Sequence, residues 1–253
     1  MSNTYIGTEL ELFAAAGNWK RYVGKVLRPF ICARVLEVGA GIGSNLPYLQ
    51  TSAVREWTSL EPDPVQARRI AACVAAGELP PSQVISGIIA DIDPSAAFDT
   101  ILYIDVLEHI ADDKAELARA AQHLAHGGRL IVVAPAHQFL FSPFDAAIGH
   151  HRRYSAASLA ALAPPDCALE ATLMLDSVGF FVSLGNRLLL SSKMPTPRQI
   201  AFWDRLLVQL SRVLDSVTFH RFGKTVVSVW QRATDPEAPV ERRLPPERIS
   251  PVP

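Results

Sequence analysis

Hydrophobic positions along the chain switch between a helical and a strand-like spacing. From Thr8 to Phe30, the residues Leu10, Leu12, Phe13, Trp19, Tyr22, Val23, Val26 and Leu27 recur at roughly helical intervals, which predicts one or two amphipathic helices. Pro29 and Arg34 then lead into Val35-Leu36-Glu37-Val38, a short apolar run ending in glycines, as a buried parallel strand would. Trp57 to Leu60 reads as a second strand ending at Glu61-Pro62, with a helix from Pro64 through Ala76 before Gly77. Val84 to Ile89 and Phe98 to Ile104 predict the third and fourth strands. A helix from Lys114 to His126 is expected to stop at Gly127-Gly128. Arg129 to Ala134 follows as strand five, closed by Pro135. This alternation predicts an α/β fold: a doubly wound parallel sheet with helices on both faces.

After Pro135 the rhythm changes. Residues 136 to 154 are rich in aromatics, histidines and arginines and read as a long functional loop. Leu169 to Leu175 suits a sixth strand, Ser177 to Val217 is mostly helical and apolar but broken by Pro195 and Pro197, and Thr225 to Trp230 is the last strand. The tail from residue 234 onward carries six prolines among charged residues, cannot bury a core and is expected to be disordered or draped on the surface. Residues 1–233 are therefore expected to form one domain.

Composition narrows the function classes. With 253 residues, 49% hydrophobic and 19% charged, the chain can bury a sizeable core, and a net charge of −1 argues against a nucleic acid partner. Cys32, Cys73 and Cys167 form no metal-binding spacing and read as buried thiols in a reducing compartment. Neither a signal peptide nor an apolar run of about 18 residues is present, so the expectation is a cytoplasmic protein without stable membrane insertion.

The chemistry starts at Glu37-x-Gly39-Ala40-Gly41-x-Gly43, which follows a predicted strand and should open a helix. Glycines there permit positive φ and close approach of the backbone to a ligand, yet dinucleotide-binding loops look similar. Glu37 discriminates, because a carboxylate just before the loop would repel a pyrophosphate and suits the cationic sulfonium and amino group of S-adenosylmethionine (SAM). A nicotinamide oxidoreductase is disfavoured for the same reason. Glu61, with Pro62 behind it, is placed to accept both ribose hydroxyls, and Asp91-Ile92 to bond the adenine amino group and cover its ring. The plainer alternative makes Glu61 and Asp91 helix caps.

From Val35 to Pro135 the sequence resembles class I SAM-dependent methyltransferases. Val35 to Gly43 matches the family's first motif, Phe98-Asp99-Thr100-Ile101 through Leu107-Glu108-His109-Ile110 its fourth, and His126-Gly127-Gly128-Arg129-Leu130 the turn before strand five. The resemblance implies a Rossmann-like, seven-stranded sheet of order 3-2-1-4-5-7-6 with an antiparallel last strand. It also implies SAM as cofactor in a core over 33–135, with acceptor-pocket elements at 1–30 and 136–222. The Tyr103-Ile104-Asp105 backbone and His109 are expected beside the methionine part of SAM. Asp105, Glu108 and His109 have i, i+3, i+4 spacing that could converge on one helical face, as in the metal-binding Glu-x-x-Glu-His group of quinone-biosynthesis O-methyltransferases. Leu-Glu-His is common in the superfamily without a metal, so none is expected.

Phe-Asp-x-x-x-Gly-His-x-Arg-Arg-Tyr at 144–154 is similar to a bacterial small-molecule subgroup of that superfamily, as are Glu9 to Phe13 and Asn18-Trp19-Lys20-x-Tyr22. His150, His151 and His137 are the candidate bases, with Asp145 able to orient one of them. Trp19, Tyr22, Phe141, Arg152, Arg153, Tyr154 and Phe180 are the candidate acceptor-binding residues. An Asp145–arginine ion pair that merely fixes the loop is the competing reading. The apolar stretch around Phe180, Phe181, Phe202, Trp203, Leu206 and Leu210 reads as a lid, then as a homodimer interface, then as a membrane-surface contact beside Arg187, Lys193, Arg198 and Arg205. The expected activity is methyl transfer to O or N of a small aromatic or hydrophobic metabolite, in secondary metabolism. A lipid-linked or quinone-like acceptor and a non-catalytic SAM-binding protein are the alternatives.

Overall fold

The computed structural model describes residues 8–189 and 196–234; Lys193 and the tail from Asp235 lie outside them. Two helices, α1 (Thr8–Ala14) and α2 (Gly17–Leu27), precede the first strand, β1 (Arg34–Val38). The chain then runs through α3 (Leu46–Leu49), β2 (Glu56–Glu61), α4 (Pro64–Ala75), β3 (Gln83–Ser86), β4 (Phe98–Ile104), α5 (Asp113–Gln122) and β5 (Leu124–Pro135). Short helices α6 (Pro143–Ala147) and α7 (Ala156–Ala160) lead to β6 (Cys167–Leu175). A helical insertion follows: α8 (Ser177–Leu189), α9 (Pro197–Phe202), a π-helical turn at Trp203–Leu207 and α10 (Val208–Val217), before β7 (Thr225–Arg232).

The seven strands form one sheet of order β3-β2-β1-β4-β5-β7-β6, with β7 antiparallel to both neighbours. This is the Rossmann-like methyltransferase arrangement that the family resemblance implies. Each face carries its own apolar cluster. Leu36, Ile101, Tyr103, Leu130, Val132 and Trp230 fill one, and Val35, Trp57, Leu102, Ile131, Val133 and Val229 fill the other. Neighbours in sequence thus alternate between the two cores, which is why these strands read as continuous apolar runs.

Three local expectations are corrected. The helix after strand four ends at Gln122, not His126, and β5 begins at Leu124 and carries Gly127-Gly128 inside it. Those glycines lie opposite a register shift between Phe98 and Thr100, so they accommodate an irregular strand start. The helix after the glycine loop is a single turn, because α2 packs closely over that face: Gly24 lies so near the Tyr48 carbonyl that a Cβ would not fit. Strand three stops at Ser86, and the last rung of its ladder is the Gly87 N–H donated to the Glu61 carbonyl.

A buried carboxylate ties the N-terminal helices and the insertion to the sheet. Asp215 on α10 accepts hydrogen bonds from the Tyr22 hydroxyl (2.7 Å) and from the backbone N–H groups of Asp176 (2.8 Å) and Ser177 (3.0 Å). Asp204 caps α2 by accepting from the N–H groups of Asn18 and Trp19. Among the described residues, no helix is long and apolar enough to cross a membrane.

Replacing Asp215 by Ala strands three buried donors and is expected to lower stability by about 3 kcal/mol, whereas Tyr22→Phe costs about 1 kcal/mol. Urea denaturation with matched m-values measures both.

Candidate functional site

The parallel strands end at one edge of the sheet, where the loops after β1, β2, β4 and β5 surround a cavity of about 1880 Å³. The glycine loop forms its floor. Gly39 has φ +69° and sits so close to Val106 that a Cβ would approach the Val106 methyl groups to 2.6 Å, so only glycine suits this position. Gly41 donates its N–H to Glu61 (2.7 Å), and Asp63 donates to the other Glu61 oxygen (2.9 Å). Glu61 is therefore held rigidly with both oxygens partly satisfied while still lining the cavity. Burial pushes its carboxyl up despite those two N–H groups.

Three further carboxylates crowd the site. Glu37 is buried under the loop, where one oxygen accepts from Asn45 Nδ2 (3.3 Å) and the carboxylate also interacts with the Trp57 indole N–H. Burial raises its pKa to about 7, opposed by the Asn45 bond and the Lys20 charge. Asp105, at φ +53° just past β4, and Glu108, in a 3-10 turn at Leu107–His109, both line the cavity. Burial raises Glu108, and repulsion from Asp105 adds to that shift; Asp105 is also raised by desolvation from the surrounding protein, although its side chain is open to the cavity. Neither Glu108 oxygen has a hydrogen-bond partner.

Sequence reasoning missed Lys20. Its ammonium on α2 lines the same cavity and donates to Ser44 Oγ (3.0 Å) and Asn45 Oδ1 (3.2 Å) at the end of the glycine loop. Burial lowers its pKa against the opposing charges of Asp105, Glu37 and Asp204. Ile88 and Lys224 also line the cavity and were not singled out. The signal for Lys20 was the Asn-Trp-Lys-x-Tyr segment, whose aromatics drew attention first.

The loop after β5 is built around Asp145. One of its oxygens accepts from His150 Nδ1 (3.0 Å) and Arg153 Nε (2.8 Å), the other from Arg153 Nη2 (2.9 Å) and Ser142 (2.6 Å from the hydroxyl). Burial alone would push Asp145 up, but these bonds hold it well below the ordinary carboxylate range. The loop-fixing ion pair and the histidine-orienting contact are thus one arrangement. His150 Nε2 faces Glu108 Oε1 at 3.8 Å, and its ring meets His109 edge-on at 4.5 Å. Ligand-type atoms of Glu108, His109 and His150 lie within 4.8 Å of one another, whereas Asp105 is not part of that group. Burial and the neighbouring histidines lower His109 to about 4.

Of the residues singled out from sequence, the cavity brings together Trp19, Gly39, Ala40, Gly41, Glu61, Pro62, Ile104, Asp105, His109, Phe141, Asp145, His150, His151 and Arg153. Others fall elsewhere. The Tyr103 hydroxyl donates to Glu116 inside the core, Tyr22 donates to Asp215, and Tyr154 donates to Asp113. Arg152 pairs with Asp113 and the Ala111 carbonyl. Asp91 accepts from the Ile88 N–H, which is a capping role, and Ile92 is core; Gly87, Ile88 and Ile89 form that wall instead. Gly43 packs on Leu79 and Ile70. His137 bonds the Gly223 carbonyl within an aromatic group that includes Phe180 and Phe222, outside the cavity.

The model of a family described as a methyltransferase domain matches residues 10–164. Comparison with curated proteins gave no match. Solved structures share the fold at low identity. The 4+2-cyclase SpnF aligns with a TM-score of 0.58 at 13% identity, covering 91% of this chain and 96% of its own. A candidate sarcosine dimethylglycine methyltransferase from Galdieria sulphuraria gives 0.56 at 18%, covering 86% and 85%. Coclaurine N-methyltransferase, solved with N-methylheliamine and S-adenosylhomocysteine, gives 0.55 at 14%, covering 85% and 72%.

The raised Glu37 has a consequence for stability. An acid whose pKa is higher in the folded chain binds more protons folded than unfolded, so stability falls as pH rises from about 4.5 to about 7. Glu37→Gln removes that penalty. The ligand-free variant is expected to gain on the order of 2–3 kcal/mol at pH 8 and little at pH 4, read from melting curves at both pH values.

Proposed function

Because the chain belongs to the methyltransferase-domain family, we propose that it transfers a methyl group from SAM to O or N of a small, hydrophobic or aromatic acceptor. The observation that carries this reading is the cavity itself: a glycine loop with Glu61 and Asp105 beside it and Glu37 buried behind it at one end, an apolar chamber at the other. The donor end fits SAM on two counts. Gly39 and Gly41, both at positive φ, put bare backbone on the cavity wall, and Glu61 and Asp105 line it with carboxylates suited to hydroxyls and a cation. When bound, SAM supplies an electrophilic methyl on a sulfonium. Glu61 would take the ribose hydroxyls, Ile88 would cover the base, and Glu37 with Asp105 would face the cationic end.

The volume exceeds the roughly 300–1,000 Å³ of an ordinary ligand pocket, leaving room for a second molecule. Phe13, Phe141, Phe144, Phe202 and Trp203 line the remainder, with Glu108, His109 and His150 as its polar corner. In this reading the aromatic walls orient the acceptor, and His150, aligned by Asp145, accepts its proton at Nε2. His151 is the secondary candidate. The division of labour assigns 33–135 to the donor and 1–30 with 136–222 to the acceptor, within one cytoplasmic domain of the Gly-His-x-Arg-Arg-Tyr subgroup.

Calorimetry with S-adenosylhomocysteine tests the donor: Glu61→Ala is expected to weaken binding about 10- to 100-fold. Absence of binding by the wild type would sink the reading. Once an acceptor is in hand, His150→Ala should lower kcat by about 10²-fold or more at unchanged donor affinity.

A second reading, a lipid-linked or quinone-like acceptor reached at a membrane surface, is favoured by one helical face. Phe202, Leu206, Leu210, Val213 and Val217 are exposed along α9 to α10 at spacings of three and four. Among the described residues from 197 to 221, the exposed charges are Arg198, Arg205 and Arg221, while both acids are buried. Flotation with anionic vesicles should carry the wild type upward and leave Leu206→Glu/Leu210→Glu behind; a wild type that stays at the bottom excludes this reading.

A further inference from the structure

Lys20 is a cation on a cavity wall with only neutral partners. Its ammonium donates to Ser44 Oγ and Asn45 Oδ1, and among the described residues it has no ion pair. An ammonium has three donors, so one is left for a ligand. Asp105, Glu37 and Asp204 act on it through space without touching it. A half-buried charge is costly unless it is paired, so a cation held here by two neutral oxygens is short of an anion.

A second observation says where that anion would sit. A side cavity of about 70 Å³ adjoins the large one, and Lys20, Asn45 and Asp105 border both. Asn45 also donates to Glu37. One asparagine thus joins a cation and a carboxylate at the same end of the glycine loop, a pairing suited to a zwitterion.

We propose that Lys20 receives the α-carboxylate of the donor's methionyl end, while Glu37 and Asp105 face its ammonium. The proposal rests on SAM being the donor and goes beyond it, because it makes α2 part of the donor site. Glu61 and Lys20 then anchor the two ends of one ligand through one loop, by way of Gly41 and Asn45. Donor binding would also fasten α2, and with it Trp19, over the acceptor chamber.

Titration calorimetry on the full chain with two probes tests this. S-adenosylhomocysteine carries the amino-acid end, and 5′-methylthioadenosine keeps the nucleoside and thioether without it. Lys20→Met is expected to weaken S-adenosylhomocysteine about 10- to 100-fold and leave 5′-methylthioadenosine within about twofold, with Lys20→Arg in between. The unchanged second probe doubles as the check that the variant is folded. In the wild type, S-adenosylhomocysteine should also slow amide exchange across Gly17–Leu27, an effect Lys20→Met should lose. Equal weakening of both probes, or no weakening of the first, overturns the role of Lys20 alone. A wild type that binds neither probe removes the donor reading and this one together.

Discussion

The shape of the cavity depends on the hydrogen bonds that Asp215 collects at the junction of β6 and α8. Of the sheet's two cores, one includes Tyr22, Val23 and Leu27 of α2 and Val208 of α10, while the other, packed with α5 and α7, would stand without them. The cavity roof would not. α2 and the insertion α8–α10 pack on the sheet through few elements, and Asp215 fixes Tyr22 from one and the N-terminus of α8 from the other. Asp176 completes the knot, accepting from Ser211, Trp203 Nε1 and Lys224. A buried carboxylate with this many donors is well compensated, and its loss would leave several polar groups stranded at once. Trp19, Lys20, Trp203 and Lys224 all reach the cavity from elements that this knot holds.

The opposite situation prevails inside the cavity. Glu37 and Glu108 are buried with few partners, and burial raises the pKa of each. Such groups destabilise the ligand-free chain, and a cationic ligand relieves them. Asp145 shows the contrast a few residues away. There Arg153, His150 and Ser142 satisfy the carboxylate, which stays ionised and serves geometry. One site thus holds carboxylates of two kinds, those well compensated by the protein and those poorly compensated by it.

Much of this was legible in the sequence, for physical reasons that differ by region. Apolar runs of four to six residues ending in Gly, Glu-Pro or Pro signalled strands buried on both faces, and the sheet order followed from motif resemblance. Helix ends were less legible: Gly127-Gly128 looked like a stop signal but lies within β5, because glycine serves an irregular strand as readily as a helix end. The site residues on the loops after β1, β2 and β4 converge because parallel strands deliver their carboxyl ends to one edge. Partners set by long-range packing were not legible. Tyr22, Tyr154 and Arg152 looked like acceptor contacts because aromatic and basic groups suit ligands, yet Asp215 and Asp113 claim them. Nothing local distinguishes Lys20, which faces inward, from Lys25 five residues on, which is exposed.

The fold alone does not fix the reaction, as a structural neighbour described as a 4+2-cyclase illustrates. Here the division between ends of the cavity matters more than the sheet. The end proposed for the donor is made by short, rigid links: Gly41 to Glu61, Asn45 to Glu37 and Lys20. Such links tolerate little variation in what they bind. The end proposed for the acceptor is lined by aromatic side chains of α1, α6, α9, the turn before α10 and the loop at Phe141, with one polar corner at Glu108, His109 and His150. Apolar walls discriminate weakly, by about 1–3 kcal/mol per methylene, whereas a site with buried polar groups rejects a ligand that leaves them unpaired far more strongly. On the proposed reading, acceptor choice is made at that corner, by a group able to meet Glu108 and the oriented His150. The aromatic walls then set only how large the rest of the molecule is.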